Sequence, residues 1–418
     1  MTSTLSPTVP HHHGRLAFLD GLRALAALAV VAVHAFQIYG YDLHSWIAVE
    51  SPMPFGDGLA DRALMLSYSA LWKWGPFAVP VFIVLSGFSL MLPVARSGAL
   101  RPGGGSLHFF QRRAWRILPP YYAALALAML ITALVPGFGT QRGVYWDLAL
   151  PTFQADVLLA HLFVVHNLPW PSDPLFGMRI NPPLWSIAVE MQIYLLFPLL
   201  LLLWRRAGAL VATGAALLAG IVPASLGLLT WPLSNGHYLG LFALGALGAD
   251  VVFRWSGPAV ARRGPWLGLA IAGAAAFAAL IALGRFTPPG AWWMKDTALG
   301  LAVLGVLVHA TLSERDQQGR RPLYIALLSA RPLVLLGERS YSLYLIHAPI
   351  LALVGALFIG LPATIAYPLV FLVGFPTCIA VAWLFFELIE RRFLYGPRKA
   401  PRPAPANTLP EGKPAEAA

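Results

Sequence analysis

The chain is short of charge. Of its 418 residues only 11% are Asp, Glu, Lys or Arg, where a soluble domain carries about 25%. With 58% hydrophobic residues and a mean hydropathy of +0.68, that shortage excludes a soluble enzyme and predicts a polytopic membrane protein. Spans use up the length, which leaves no room for a second large soluble domain. Cysteine is nearly absent. The single Cys378 lies in an apolar run, so neither a disulfide framework nor a thiolate metal site is expected. There is no P-loop, no dinucleotide glycine fingerprint and no HExxH pair, and no metal is expected. The first residues lack the basic segment and cleavage site of a signal peptide. His11, His12 and His13 in this polar leader read as incidental.

Ten apolar segments are long enough to span at roughly 20 residues each. They run near 18–39, 76–95, 117–136, 184–204, 208–229, 237–255, 266–284, 292–312, 333–357 and 363–388. The fold class expected is therefore an all-α bundle of about ten transmembrane helices. Alternate loops differ in charge. Arg96, Arg101, Arg112, Arg113 and Arg116 fall in one loop, Arg205 and Arg206 in another, and Arg391, Arg392, Arg398 and Lys399 follow the last span. The positive-inside rule makes these loops, and both termini, cytoplasmic. The net charge of +11 is then a topology signal and not a nucleic-acid surface. Residues 1–15 and 394–418 are expected to be disordered flanks of one membrane domain over 16–393. The segment 152–166 is too short to span easily. It reads as re-entrant or interfacial, with His161 and His166 near the outer face.

The first span reads FLDGLRALAALAVVAVHAFQIY over 18–39. It carries Asp20, Arg23 and His34, and an ionisable residue at the centre of a spanning helix costs roughly 2.5–3.5 kcal/mol on insertion scales. Arg23 and His34 are eleven positions apart. At about 100° and about 1.5 Å per residue they share a face and stand about 16 Å apart along the axis. One face thus offers a fixed cation at one depth and a proton-transfer group far above it. Alternatively, Arg23 snorkels to the interface and His34 only bonds a neighbouring helix.

Three further groups stand out. Arg113 and Arg116 are three apart, so they are neighbours on a helical face and suit a phosphorylated cytoplasmic ligand; positive-inside anchoring explains them equally well. Glu190 follows Pro182-Pro183-Leu184-Trp185-Ser186 and would lie about 10 Å below the outer surface, where His34 is its candidate partner. A Glu beside a His fixes the tautomer a general base requires, while a structural ion pair is the plainer reading. His347 in the ninth span, about 20 Å from the inner end, is a second candidate catalytic or helix-locking histidine. Ser86-Gly87-Phe88 suggests close helix packing through Gly87. Glu387 and Glu390 look like a cytoplasmic charge collar beside Arg391 and Arg392.

These pieces occur in a familiar order. LDGLRALAALAVVAVHAF, PVFIVLSGFSL, RRAWRILPPYY, LWSIAVEMQIYLLFPLL and ERSYSLYLIHAPI resemble the membrane-bound acyltransferase-3 family, the O-acetyltransferases of bacterial surface glycans and some antibiotics. The match runs from about Leu19 to Phe393. The resemblance implies ten core helices in a bacterial inner membrane and an acyl-CoA co-substrate, acetyl-CoA above all, used from the cytoplasm. It implies a carbohydrate or other hydroxyl acceptor, with no permanently bound cofactor. The family's Arg-X10-His pair and Arg-X-X-Arg fall on Arg23, His34, Arg113 and Arg116. Some relatives carry a fused extracytoplasmic esterase-like domain. It is not seen here, which leaves open whether a separate protein completes the transfer. On this reading Arg113 and Arg116 hold the CoA phosphates, Arg23 guides the pantetheine arm, and His34, oriented by Glu190, deprotonates the acceptor or carries the acyl group. The rival reading is a transporter or proton-coupled exporter of a lipid-linked sugar, since intramembrane Arg, Glu and His suit that too.

Overall fold

The computed structural model describes residues 16–38, 77–140, 145–168, 175–226, 233–255, 263–283, 292–316 and 321–394, with 58–60, 62–63, 66–67 and 173. The leader, most of the 40–75 loop and the tail from 395 lie outside these residues. So the expectations placed there, the three leader histidines and the disordered flanks, are outside the described structure.

The long elements are all helices. They are α1 (Ala17–Gln37), α2 (Ala78–Ser97), α3 (Gly105–Leu134), a short α4 (Ala155–Leu162), α5 (Trp185–Ala207), α6 (Ala209–Ser225) and α7 (Tyr238–Arg254). Then come α8 (Gly264–Ala282), α9 (Trp292–Arg315), short α10 (Leu323–Leu328) and α11 (Arg331–Glu338), and α12 (Ser340–Ala356). The chain closes with α13 (Ala363–Leu369), which runs through a π-helical turn (Val370–Gly374) into α14 (Phe375–Leu388). A helix satisfies its backbone polar groups internally, which is why these apolar runs can enter lipid. Among the described residues eight helices are long and apolar enough to cross a membrane, and two shorter apolar ones, Ala209–Pro223 and Ser340–Ala356, accompany them. Each of the ten apolar segments of the sequence falls on one of these ten helices.

The centre of the bundle is α2 against α7. The approach is close because Gly87 and Gly245 offer no side chains there. A Cβ at Gly87 would meet the Phe242 carbonyl oxygen at 1.9 Å, and one at Gly245 the Val84 carbonyl oxygen at 1.9 Å. α1, α6 and α9 pack around this pair and α5 touches α7, while α12 packs against α1 and α14 and α8 lies at the edge against α9. Burial follows that order: 78% of the Asn235–Arg254 span window is buried, but 17% of the Gly264–Ala282 window. The outward leucines and isoleucines of the edge helices, Ile271 and Leu384 among them, are what a lipid-facing surface needs.

Two segments differ from the sequence reading. The third helix begins at Gly105, twelve residues before the expected 117, so the basic segment is helical before it reaches the apolar part. The ninth span is not continuous over 333–357. It breaks at Arg339 between α11 and α12. Arg339 is buried and stacks its guanidinium over Trp383 at 3.8 Å and Phe386 at 4.6 Å, with Glu387 at 3.3 Å. A cation held this way at the helix start turns α11 away from the axis of α12. His347 therefore lies about 10 Å above the start of its helix, at about 1.5 Å per residue, and not 20 Å.

Candidate active site

Arg23 sits one and a half turns into α1. Its guanidinium bridges Asp20 at 2.8 Å within its own helix and donates to Ser89 Oγ of α2 at 2.6 Å. Ser89 was not singled out in the sequence. The signal was Ser86 and Ser89, two hydroxyls three apart on an otherwise apolar helix.

Ser86 completes a second contact. It donates to Glu190 at 3.0 Å and lies 2.8 Å from the Tyr194 hydroxyl, which itself makes a very short bond to Glu190. Tyr194 is four residues after Glu190 on the same face of α5, so helical spacing could have found it. Arg113, half-buried on α3, places its guanidinium over the rings of Phe109 at 5.9 Å and Tyr194 at 6.0 Å, and feels the charge of Glu190. Arg116 is exposed and acts electrostatically on Arg23, Arg113 and Glu390. So Arg23 of α1 joins Arg113 and Arg116 of α3 in one cationic cluster at the basic end of the bundle. Arg112 turns back to the Gly103 carbonyl at 3.1 Å.

His34 lies three turns further along α1. Its Nδ1 faces the Val30 carbonyl at 2.9 Å and His347 Nε2 at 3.2 Å, with ring centroids 4.9 Å apart. The neighbours fix the tautomers. His347 Nδ1 faces two carbonyls, Tyr344 at 2.7 Å and Leu343 at 3.2 Å, so it carries the proton and Nε2 carries the lone pair. His34 Nδ1 then faces two acceptors and must also be protonated. His34 Nε2 is left as the basic atom of the pair. Nearby, Tyr344 donates to the Pro183 carbonyl at 2.7 Å and receives Ser186 at 2.6 Å.

The expected Glu190–His34 pair is not what the structure brings together. Glu190 belongs with Ser86, Tyr194 and Arg113, and His34 is met by His347. The reason lies in the packing: α1 presents Arg23 to α2 but His34 to α12, and α5 meets α2 at Ser86. Glu387 and Glu390 also part company. Glu387 is paired with Arg339 and Arg391. Glu390 is buried and accepts the Ser342 N–H at 3.0 Å and hydroxyl at 2.5 Å, where it caps the N-terminus of α12. Burial raises its pKa, while the Ser342 bonds, Arg116 and Arg339 oppose the shift.

Outside the spans, α4 is the short helix within 152–166. It buries His161 against His166, with the rings stacked at 4.0 Å and 11°. His161 Nδ1 donates to the Val157 carbonyl at 2.8 Å, and the Tyr121 hydroxyl reaches His166 at 3.4 Å. Burial depresses His161 to about 4. Burial, helped by the adjoining His161, takes His166 well below the usual range. Among the described residues no group of three or more His, Cys, Asp or Glu is arranged to hold a metal.

Residues 16–387 match the family described as "Acyltransferase domain", acyltransferase-3. The acyltransferase MdmB of Streptomyces mycarofaciens is 27% identical over 359 residues, covering 80% of this chain and 78% of that protein. The peptidoglycan O-acetyltransferase OatA of Listeria monocytogenes is 25% identical over 358 residues, 80% of this chain and 49% of that one. Nodulation protein 10 of Rhizobium leguminosarum is 29% identical over 224 residues, 51% and 52% of the two chains. The chain thus spans about half the length of the last two relatives. No solved structure matches. With its apolar helices and a family match over most of its length, this multi-pass membrane protein belongs to the acyltransferase-3 family.

Proposed function

We propose that the protein is an O-acyltransferase that takes an acyl group, acetyl first among them, from cytoplasmic acyl-CoA. The acceptor is a hydroxyl of a glycan or of another glycosylated or small molecule. The observation that carries this reading is the division of α1 between a cationic cluster at one depth and a two-histidine base about 16 Å further along. Arg113 and Arg116 suit the CoA phosphates, because guanidinium forks pair with phosphate oxygens in bidentate fashion. Arg23, held by Asp20 and Ser89, marks the way inward for the long pantetheine arm. Glu190 and Tyr194 hold Arg113 in place and do not act on the base.

At the far end of that arm the thioester meets His34. Its Nε2 takes the proton of the acceptor hydroxyl as the oxygen attacks the acyl carbon. The new C–O ester bond forms, the C–S bond breaks, and the proton passes to the leaving CoA thiolate. His347, fixed by the Tyr344 carbonyl, accepts the His34 Nδ1–H and stabilises the imidazolium that forms. The names of the relatives, one of them a peptidoglycan O-acetyltransferase, support a hydroxyl-bearing envelope acceptor. The basic loops support a cytoplasmic donor side.

The test is CoA release from acetyl-CoA by the purified protein in detergent. Release that requires Arg113, Arg116 and His34 supports the reading. Absence of release and of acetyl-CoA binding by the native protein overturns the donor assignment and leaves the exporter reading.

A further inference from the structure

Asn181, just before α5, is 1% exposed. Its Nδ2 donates to the Leu345 carbonyl of α12 at 2.9 Å. That carbonyl is open because the residue four positions on is Pro349, which has no N–H to complete the helical bond. The amide therefore cannot be flipped: its nitrogen must face Leu345. Its Oδ1 is buried and receives no hydrogen bond from any described residue. A buried carbonyl oxygen left so is destabilising, so such a group in a native protein calls for a reason. The residue before it adds a second observation. Ile180 is fully buried at φ 64°, a left-handed conformation that is a true outlier for a β-branched side chain. Strain of this kind gathers at ligand clamps.

The surroundings indicate what the oxygen receives. Leu345 is two residues from His347. Pro183 and Ser186 bind the Tyr344 hydroxyl, and the half-buried Trp185 stacks with Tyr238 at 6.4 Å. Phe82 stands edge-on to Tyr344 at 6.2 Å. Aromatic faces with hydroxyls and a lone amide oxygen suit a ring with several hydroxyls, and the acidic Glu190 and Asp296, which act on Tyr344 and Tyr238 from further off, disfavour an anion there. We propose that Asn181 Oδ1 accepts a hydrogen bond from a hydroxyl of a neutral, sugar-like acceptor and holds it beside the His34–His347 pair. This rests on the acyltransferase reading and names an anchor for its acceptor.

Four proteins test it: native, Asn181→Ala, Pro349→Ala and the double variant. The probe is methyl α-glucopyranoside, whose binding is read by saturation-transfer NMR in micelles without donor. Acetyl-CoA binding is measured on the same preparations. Pro349→Ala gives position 349 an N–H for Leu345, so the Nδ2 bond becomes redundant. Asn181→Ala should weaken sugar binding about tenfold, the size of one lost hydrogen bond. The double variant should be just as weak, Pro349→Ala alone should bind as native, and acetyl-CoA binding should be native in all four. Recovery in the double variant would show that Asn181 serves only to cap Leu345, and overturns the proposal. So does native-like binding by Asn181→Ala. No saturation transfer in the native protein overturns the sugar-like class. Sugar binding without acetyl-CoA binding would sink the donor reading and leave this anchor standing.

Discussion

Acid should destabilise this protein through the α4 histidine pair. His161 has a folded pKa of about 4, against an ordinary value near 6.5. A depressed histidine favours the neutral form in the folded state, so the unfolded chain takes up more protons as pH falls. Its stability contribution is complete above pH 6.5 and is lost as pH drops from there toward 4. At pH 5.5 the loss is about 1 kcal/mol for His161. His166 is depressed as well and stacks at 4.0 Å on its neighbour, so it loses stability in the same direction. The pair should therefore cost more than His161 alone between pH 7.5 and 5.5, a noticeable share of a typical 5–15 kcal/mol. The assay is chemical unfolding in detergent across that range for the native protein and for His161→Phe/His166→Phe. The variant starts weaker, because it loses the Val157 and Tyr121 contacts, but its stability should depend much less on pH. An unchanged acid slope in the variant would refute the argument and assign the slope to other groups.

Other outcomes follow from the packing and the charge pattern. Arg113→Ala and Arg116→Ala should each weaken acetyl-CoA binding by calorimetry while the protein still inserts and folds; unchanged affinity in both returns them to topology anchors. Gly87→Val should cut thermal stability sharply and lower the yield of folded protein, because its Cβ meets the Phe242 carbonyl oxygen at 1.9 Å and overpacking typically costs about 1–3 kcal/mol. A native melting temperature would show that α2 and α7 can separate freely. In a Cys378→Ser background, Asp57→Cys should react with an impermeant reagent on intact cells and Arg101→Cys should not; the reverse would invert the membrane orientation.

Much of the architecture was legible because lipid imposes simple rules. A run of about 20 apolar residues must become a helix, and among the described residues each of the ten runs is helical, eight of them long enough to span and the ninth in two pieces. Gly87 announced a close approach and made one with Phe242. What one helix cannot tell is which helix its face will meet. The eleven-residue spacing placed Arg23 and His34 along α1, but the neighbours of each depend on how α2, α5 and α12 pack, and that is a long-range outcome. Glu190 was paired with His34 on depth alone, and the α2–α5 contact gave it to Ser86 and Tyr194. The break at Arg339 was hidden for a similar reason. The polar Gly337-Glu338-Arg339-Ser340 marks the place, but the aromatic clamp that turns the chain comes from Trp383 and Phe386, more than forty residues away. Glu390 read as a surface charge because nothing local shows that it folds back onto Ser342.

The central claim is that α1 divides donor handling from chemistry. Single-turnover acetyl transfer and CoA binding, measured on the same preparations of native, His34→Ala and Arg23→Lys protein, test it most directly. Loss of a general base typically costs about 10²–10⁴ in rate. His34→Ala should lose transfer by that factor and still bind CoA almost as the native protein does. Arg23→Lys keeps the charge but loses the fork that holds Asp20 and Ser89 together, so it should impair donor use. Near-native transfer by His34→Ala would contradict the account and leave the His34–His347 contact as helix packing.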